Sequence, residues 1–137
     1  MEYYDVHSVM LHGFSMAAAT SVIVDYRDKQ NRDLIDFTIF NAGNMSSNHY
    51  FYQEIESNPD NSPFRNENYF FFLENIDANT YAQQSSTREF LINKGVTDIE
   101  TVIAEDGDYK HGALLNHEDF LPVRERIISL YDSLTTN

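Results

Sequence analysis

Apolar and polar positions follow two different periods along this chain, and the change of period divides it. In the first half the apolar runs are short and rich in β-branched and aromatic residues, which is the pattern of strands. Residues 6–11 are a first candidate. The stretch 20–26 places Val22 and Val24 on one side of a pleat and Ile23 on the other. After the polar turn "RDKQNRD", residues 34–40 align Ile35, Phe37 and Ile39 on one face, and the two stretches together predict a hairpin. "NAGN" (41–44) is a turn signal. "NHYFYQEIE" predicts a fourth strand. "SNPDNSP" (57–63), with its prolines, predicts a loop, and "NYFFFLENI" a central strand buried on both faces.

The second half carries a longer period. "STRE" (86–89) and "TDIE" (97–100) read as capping boxes, in which a hydroxyl caps the amide three residues on and a glutamate reaches back. The first predicts a helix from Ser86 to near Asn93, stopped by Gly95. The second predicts a short helix with Ile99, Val102 and Ile103 on one face. "EDGDYKHG" (105–112) is a loop. A last helix starts near Asp119 or Pro122, with Val123, Ile127, Leu130 and Leu134 as its apolar stripe. Strands followed by helices predict an α+β fold: an antiparallel sheet of about five strands, mostly N-terminal, with about three C-terminal helices packed on one face. No repeat or linker interrupts it, so residues 1–137 read as a single domain.

Composition narrows the partners. The chain has 22 acidic and 9 basic residues, a net charge of −13. Such a field repels phosphates and anionic lipid heads, which argues against direct nucleic-acid or membrane binding and toward a basic protein partner. At 42% hydrophobic residues the chain is too apolar for a disordered acidic tail. Without cysteine there is no disulfide, thiolate metal site or thiol nucleophile, which suits a reducing compartment. "MEYYDVHSV" lacks the basic start and apolar run of a signal peptide, and no stretch reaches the roughly 20 apolar residues of a spanning helix. The expected location is the cytoplasm, or a host cytosol for a secreted effector.

Candidate chemistry rests on few residues. The histidines are His7, His12, His49, His111 and His117; none falls in an H-E-x-x-H pattern, so no metal and no cofactor is predicted. "DGDYKHG" fails as a calcium loop, because its glycine falls at position seven and His117 stands where a bidentate Glu is needed. "GFSMA" (13–17) lacks the second glycine of the G-x-S-x-G nucleophile elbow and is set aside, and α/β-hydrolase chemistry with it. What remains is His12 ahead of a strand, Asp36 or Asn41 on and after the next one, and Gln83 or Gln84 with Ser86 or Thr87 at a predicted helix start, where the dipole favours a nucleophile.

Three stretches, "FSMAAATSVIVDY", "FNAGNMSSNHYF" and "YAQQSSTREFL", resemble the catalytic layout of cysteine-peptidase-like effectors of intracellular bacteria, in the style of the adenain and ubiquitin-like-protein peptidases. The resemblance implies His12 leading into a strand, Asn41 in an N-x-G turn followed by the His49–Tyr50 pair, and a nucleophile at Ser86 where the family has cysteine. Phe14 stands where that family has its histidine. A degenerate hydrolase, or one with a Cys-to-Ser change, is therefore an alternative. The favoured expectation is an acidic intracellular protein-binding module of effector, immunity or inhibitor type rather than an enzyme. Its anchors would be His49, Tyr50 and Tyr52, with the carboxylates of Asp106 and Asp108 facing a basic partner. A nucleic-acid-mimicking inhibitor is a third expectation.

Overall fold

Each apolar strand of this protein is followed by a helix that carries the chain back to its starting end. In the computed structural model, which describes residues 6–105 and 109–136, the strands are β1 (Val9–Phe14), β2 (Ile35–Asn41), β3 (Asn68–Glu74) and β4 (Thr97–Ala104). They lie in the order β1-β2-β3-β4, and every neighbouring pair is parallel. Helices α1 (Met16–Asn31), α2 (Tyr50–Glu56) and α3 (Ala78–Asn93) form the crossovers; α4 (Ala113–Asn116), a 3₁₀ turn at 118–120 and α5 (Leu121–Thr135) follow β4. Right-handed crossovers that always step in one direction place α1, α2 and α3 on the same face. Helices α4 and α5 and the turn between them cover the other face, giving an α-β-α sandwich.

The antiparallel sheet of about five strands, with about three helices on one face, is therefore corrected: among the described residues the sheet has four parallel strands, with five helices divided between its two faces. The largest single cause lies at 20–26. Ala18, Ala19, Val22, Ile23 and Tyr26 are all buried, at a helical spacing, inside α1. Local β-propensity is a weak preference that this packing overrides. With α1 in place no hairpin forms, and β2 pairs with β1 in the same direction.

Three further expectations change in the same way. "HYFYQEI" forms α2, with His49 Nδ1 accepting the Phe51 amide at 3.2 Å as its cap and Ile55 buried beneath it. Helix α3 begins well before "STRE": Asp77 is its cap, accepting the Thr80 amide at 2.8 Å, and Ser86 falls mid-helix. "TDIE" forms strand, and Asp98 there is engaged by Arg88 and by the Thr101 hydroxyl instead of capping a turn. The loop at 57–63, the stop at Gly95 (φ 108°) and the stripe of α5 appear as expected. No described helix is long and apolar enough to cross a membrane.

β3 is one of the two inner strands, buried on both faces from Tyr69 to Leu73. Its alternation divides the core in two. Tyr69, Phe71 and Leu73 join Phe40, Ile55, Phe64 and Leu91 on the α1–α3 side. Phe70 and Phe72 join Phe37, Ile39, Phe120 and Ile127 on the α5 side. Burying each of these rings contributes roughly 1.5–3 kcal/mol, which makes the sheet a firm platform for whatever its ends carry.

Candidate active site

In a parallel sheet with helical crossovers, ligands bind beyond the carboxyl ends of the strands. In this protein that edge carries Phe14, Asn41, Glu74 and the segments that follow them. The junction of β1 and α1 is a single residue, Ser15, with φ 57° and ψ −120°. A non-glycine residue with positive φ costs about 1–3 kcal/mol and persists only where its surroundings enforce it. Here they do. The Ser15 amide donates to the Asn41 carbonyl at 2.9 Å, tying the turn to the end of β2. Gly13 and Gly43 flank it so closely that a Cβ on either would lie 2.4 Å from a backbone oxygen, of Ala17 and of Ser15 respectively. "GFSMA" thus forms a strand–elbow–helix without its second glycine. Ala17 takes that place, and it is exposed, so its methyl meets no wall.

Ser15 occupies an N-cap position but caps nothing with its side chain. Its Oγ lies 2.9 Å from His111 Nε2. His111 Nδ1 lies 3.0 Å from Glu74 Oε1. The Gly112 amide donates to both Glu74 oxygens, at 3.2 and 3.1 Å. Glu74 is fully buried, while the His111 side chain is 48% exposed. The Gly112 amide holds this carboxylate in a fixed orientation against the Nδ1 edge of the imidazole, which turns Nε2 toward the Ser15 hydroxyl.

Several neighbours fix the line. The Phe14 ring lies against the imidazole, centroids 4.7 Å apart. Gln84, buried on α3, accepts the Glu74 amide at 2.9 Å and donates to its carbonyl at 3.4 Å, gripping the last residue of β3 from the opposite face. Gly112 (φ 96°) turns the chain into α4. The Met16 amide opens the 16-residue α1 and, like the first amides of any helix, has no intrahelical partner.

The residues singled out from sequence are distributed around this line rather than on it. His12 and Asn41 meet, with Asn41 Nδ2 3.0 Å from His12 Nε2, and desolvation lowers the His12 pKa. They face the α5 side of the sheet with Met10, Phe37 and Ile39. Ser86 lies on α3, which covers the opposite face, and it lines a separate cleft with Tyr52, Thr87 and Phe90. The structure therefore does not bring Ser86 to His12. His49 caps α2; Tyr50 is 64% exposed; Tyr52 stacks on Phe90 at 4.0 Å. Asp106 and Asp108 lie outside the described residues. Among the described residues no group of His, Asp and Glu is arranged to hold a metal ion.

Ser15, Glu74 and His111 were not singled out together from sequence. They are 59 and 37 positions apart, and their one local signal is Gly13-Phe14-Ser15 placed after an apolar run and before "MAAA". No protein-family model, curated protein or solved structure matches this chain.

Proposed function

We propose that this protein is a serine hydrolase that cleaves an acyl bond through Ser15, His111 and Glu74. The observation that carries the proposal is a hydrogen-bonded line of hydroxyl, imidazole and buried carboxylate that starts at a strained elbow. The chain order Ser, Glu, His and the strand–elbow–helix are those used by α/β-hydrolases, an argument by analogy at the level of the fold. In this reading Ser15 Oγ attacks the substrate carbonyl carbon while His111 Nε2 takes its proton. Glu74 holds the resulting imidazolium. The Met16 amide and the dipole of α1 favour the charge that develops on the carbonyl oxygen. His111 then returns the proton to the leaving group, and water repeats the cycle on the acyl-enzyme.

The test is covalent. A fluorophosphonate should phosphonylate Ser15, with loss of fluoride, and peptide mass spectrometry should place the adduct on that residue. Ser15→Ala and His111→Ala should abolish labelling. Equal labelling of wild type and Ser15→Ala, or none of the wild type, overturns the proposal.

A second reading, protein binding through the acidic surface, is favoured by the charge balance: described Arg side chains, Lys29 and Lys94 are already engaged by carboxylates or backbone carbonyls, so the acidic excess is not matched by free cations among them. It predicts capture of a basic protein with an association rate that falls steeply with salt; a rate indifferent to salt removes it.

A further inference from the structure

Of the basic side chains in this acidic protein, Lys110 holds neither a carboxylate nor a backbone carbonyl among the described residues. It is exposed and directly precedes His111. With His111, Gly112, Ala113, Asn116 and His117 it lines a cavity of about 310 Å³. Behind the cavity Arg124 donates to the Leu114 carbonyl at 2.6 Å and the His117 carbonyl at 3.1 Å, so a second cation backs the same wall. Of the described carboxylates beside the cavity, Glu74 is held by the Gly112 amide and faces His111, and Asp119 is held by the Tyr109 hydroxyl at 2.9 Å and faces His117 at 3.7 Å. In a chain of net charge −13, a cavity bordered by a lysine that pairs with no carboxylate among the described residues is the local exception.

The position of the cavity says which end of a substrate it meets. In the proposed reaction His111 hands its proton to the leaving group, so the leaving group lies beside His111. The cavity begins at His111 and includes neither Ser15 nor Phe14. The geometry points to a substrate whose leaving group carries an anionic function, held by the Lys110 ammonium with the Asn116 amide beside it. This inference rests on the reading of Ser15, His111 and Glu74 as a hydrolase, and it adds the chemical class of the group released. A charge-assisted hydrogen bond gives discrimination without strain, because the ammonium is exposed and needs no repacking to meet its partner.

The experiment compares three acetate esters of one ring: 4-acetoxybenzoate, 4-acetoxyphenyl phosphate and methyl 4-acetoxybenzoate. Replacing Lys110 by Ala should lower the ratio of kcat/KM for an anionic ester to that for the methyl ester by about 10- to 100-fold, with Lys110→Arg restoring most of it. The anionic ester that loses more identifies the group the cavity takes. A ratio unchanged in Lys110→Ala overturns the inference while leaving the hydrolase standing. Binding of 4-hydroxybenzoate and 4-hydroxyphenyl phosphate to Ser15→Ala, followed by NMR, reads the cavity without turnover. Shifts at Gly112 and His117 that vanish with Lys110→Ala support the cavity even if no ester is cleaved; their absence with both ligands removes it. Failure of the fluorophosphonate to label the wild type removes the hydrolase itself, and that outcome is distinct from both.

Discussion

Two carboxyl groups lie fully buried at opposite ends of this sheet, and they are kept there in different ways. Glu74, at the carboxyl end of β3, accepts from the Gly112 amide through both oxygens and lies 3.0 Å from His111 Nδ1. Asp25, in the second half of α1, receives the Tyr69 hydroxyl at 2.8 Å on Oδ2, while no N–H or hydroxyl donor reaches its Oδ1. Glu67 is beside it and is itself engaged by Lys29 at 3.3 Å. Burial, with Glu67 next to it, pushes the Asp25 pKa up to about 9, and burial raises Glu67 as well. The pair therefore holds a proton at neutral pH, with Asp25 as its carrier. Both carboxyl groups are fully buried, and what differs is the set of donors aimed at them. A carboxylate met by several N–H groups orients a histidine. One met by a single hydroxyl and another carboxyl stores a proton and stays chemically idle.

The widest separation of the two ends comes from Ser15→Ala. Ester hydrolysis should fall by about 10⁴–10⁶-fold, measured by steady-state kinetics, with Tm nearly unchanged because the methyl keeps the elbow backbone. Asp25→Ala should leave the chemistry intact by the same assay.

Glu74→Gln comes next. The amide places an NH₂ against the Gly112 amide or against His111, so one donor loses its acceptor and the imidazole loses its fixed orientation. A loss of about 10²–10⁴-fold in kcat is expected. Retention of full activity would sink the assignment of Glu74.

The pH dependence of stability sharpens the other side. Asp25 has a folded pKa raised above its unfolded value of 3.8. Its favourable contribution is therefore complete below about pH 4 and is lost as pH rises toward 9, because the unfolded state releases its proton first. Thermal melts from pH 5 to 9 should show Tm falling. Asp25→Asn keeps an acceptor for Tyr69 and a donor for Glu67 without a titrating proton, so it should flatten that slope and stabilise the protein most at high pH. An unchanged slope would remove the proton-sharing pair.

The smallest effect belongs to the surface. Arg126 and Glu100 form an ion pair in which the arginine is 59% exposed. Arg126→Ala should change stability by no more than about 0.5 kcal/mol in chemical denaturation, and activity not at all.

How much of this was legible depends on how far apart the cooperating residues lie. The "NYFFFLE" run read as a buried central strand because nothing but a two-sided sheet interior accepts so many adjacent phenyl rings. The α5 stripe was legible because Val123, Ile127, Leu130 and Leu134 repeat long enough to exclude a period of two. The stretch 20–26 was not, because a few β-branched residues fit both periods and only the burial of Ala18, Ala19 and Tyr26 decides between them. Once α1 replaced a strand, pairing turned from antiparallel to parallel. Neither the sheet direction nor the shared edge of Ser15, Glu74 and His111 could then be read locally.

By itself the sequence determined the chain's acidity, its lack of thiol chemistry, its phenyl-rich core and the burial of β3 on both faces, since composition and immediate neighbours suffice for these. Tertiary structure alone decided that Gly13 and Gly43 press Ser15 into a strained turn, that β3 ends where His111 returns, and that Glu74 meets donors while Asp25 meets a second carboxyl. Those outcomes depend on which distant backbone groups end up adjacent, and parallel pairing of strands from separate parts of the chain fixes that adjacency.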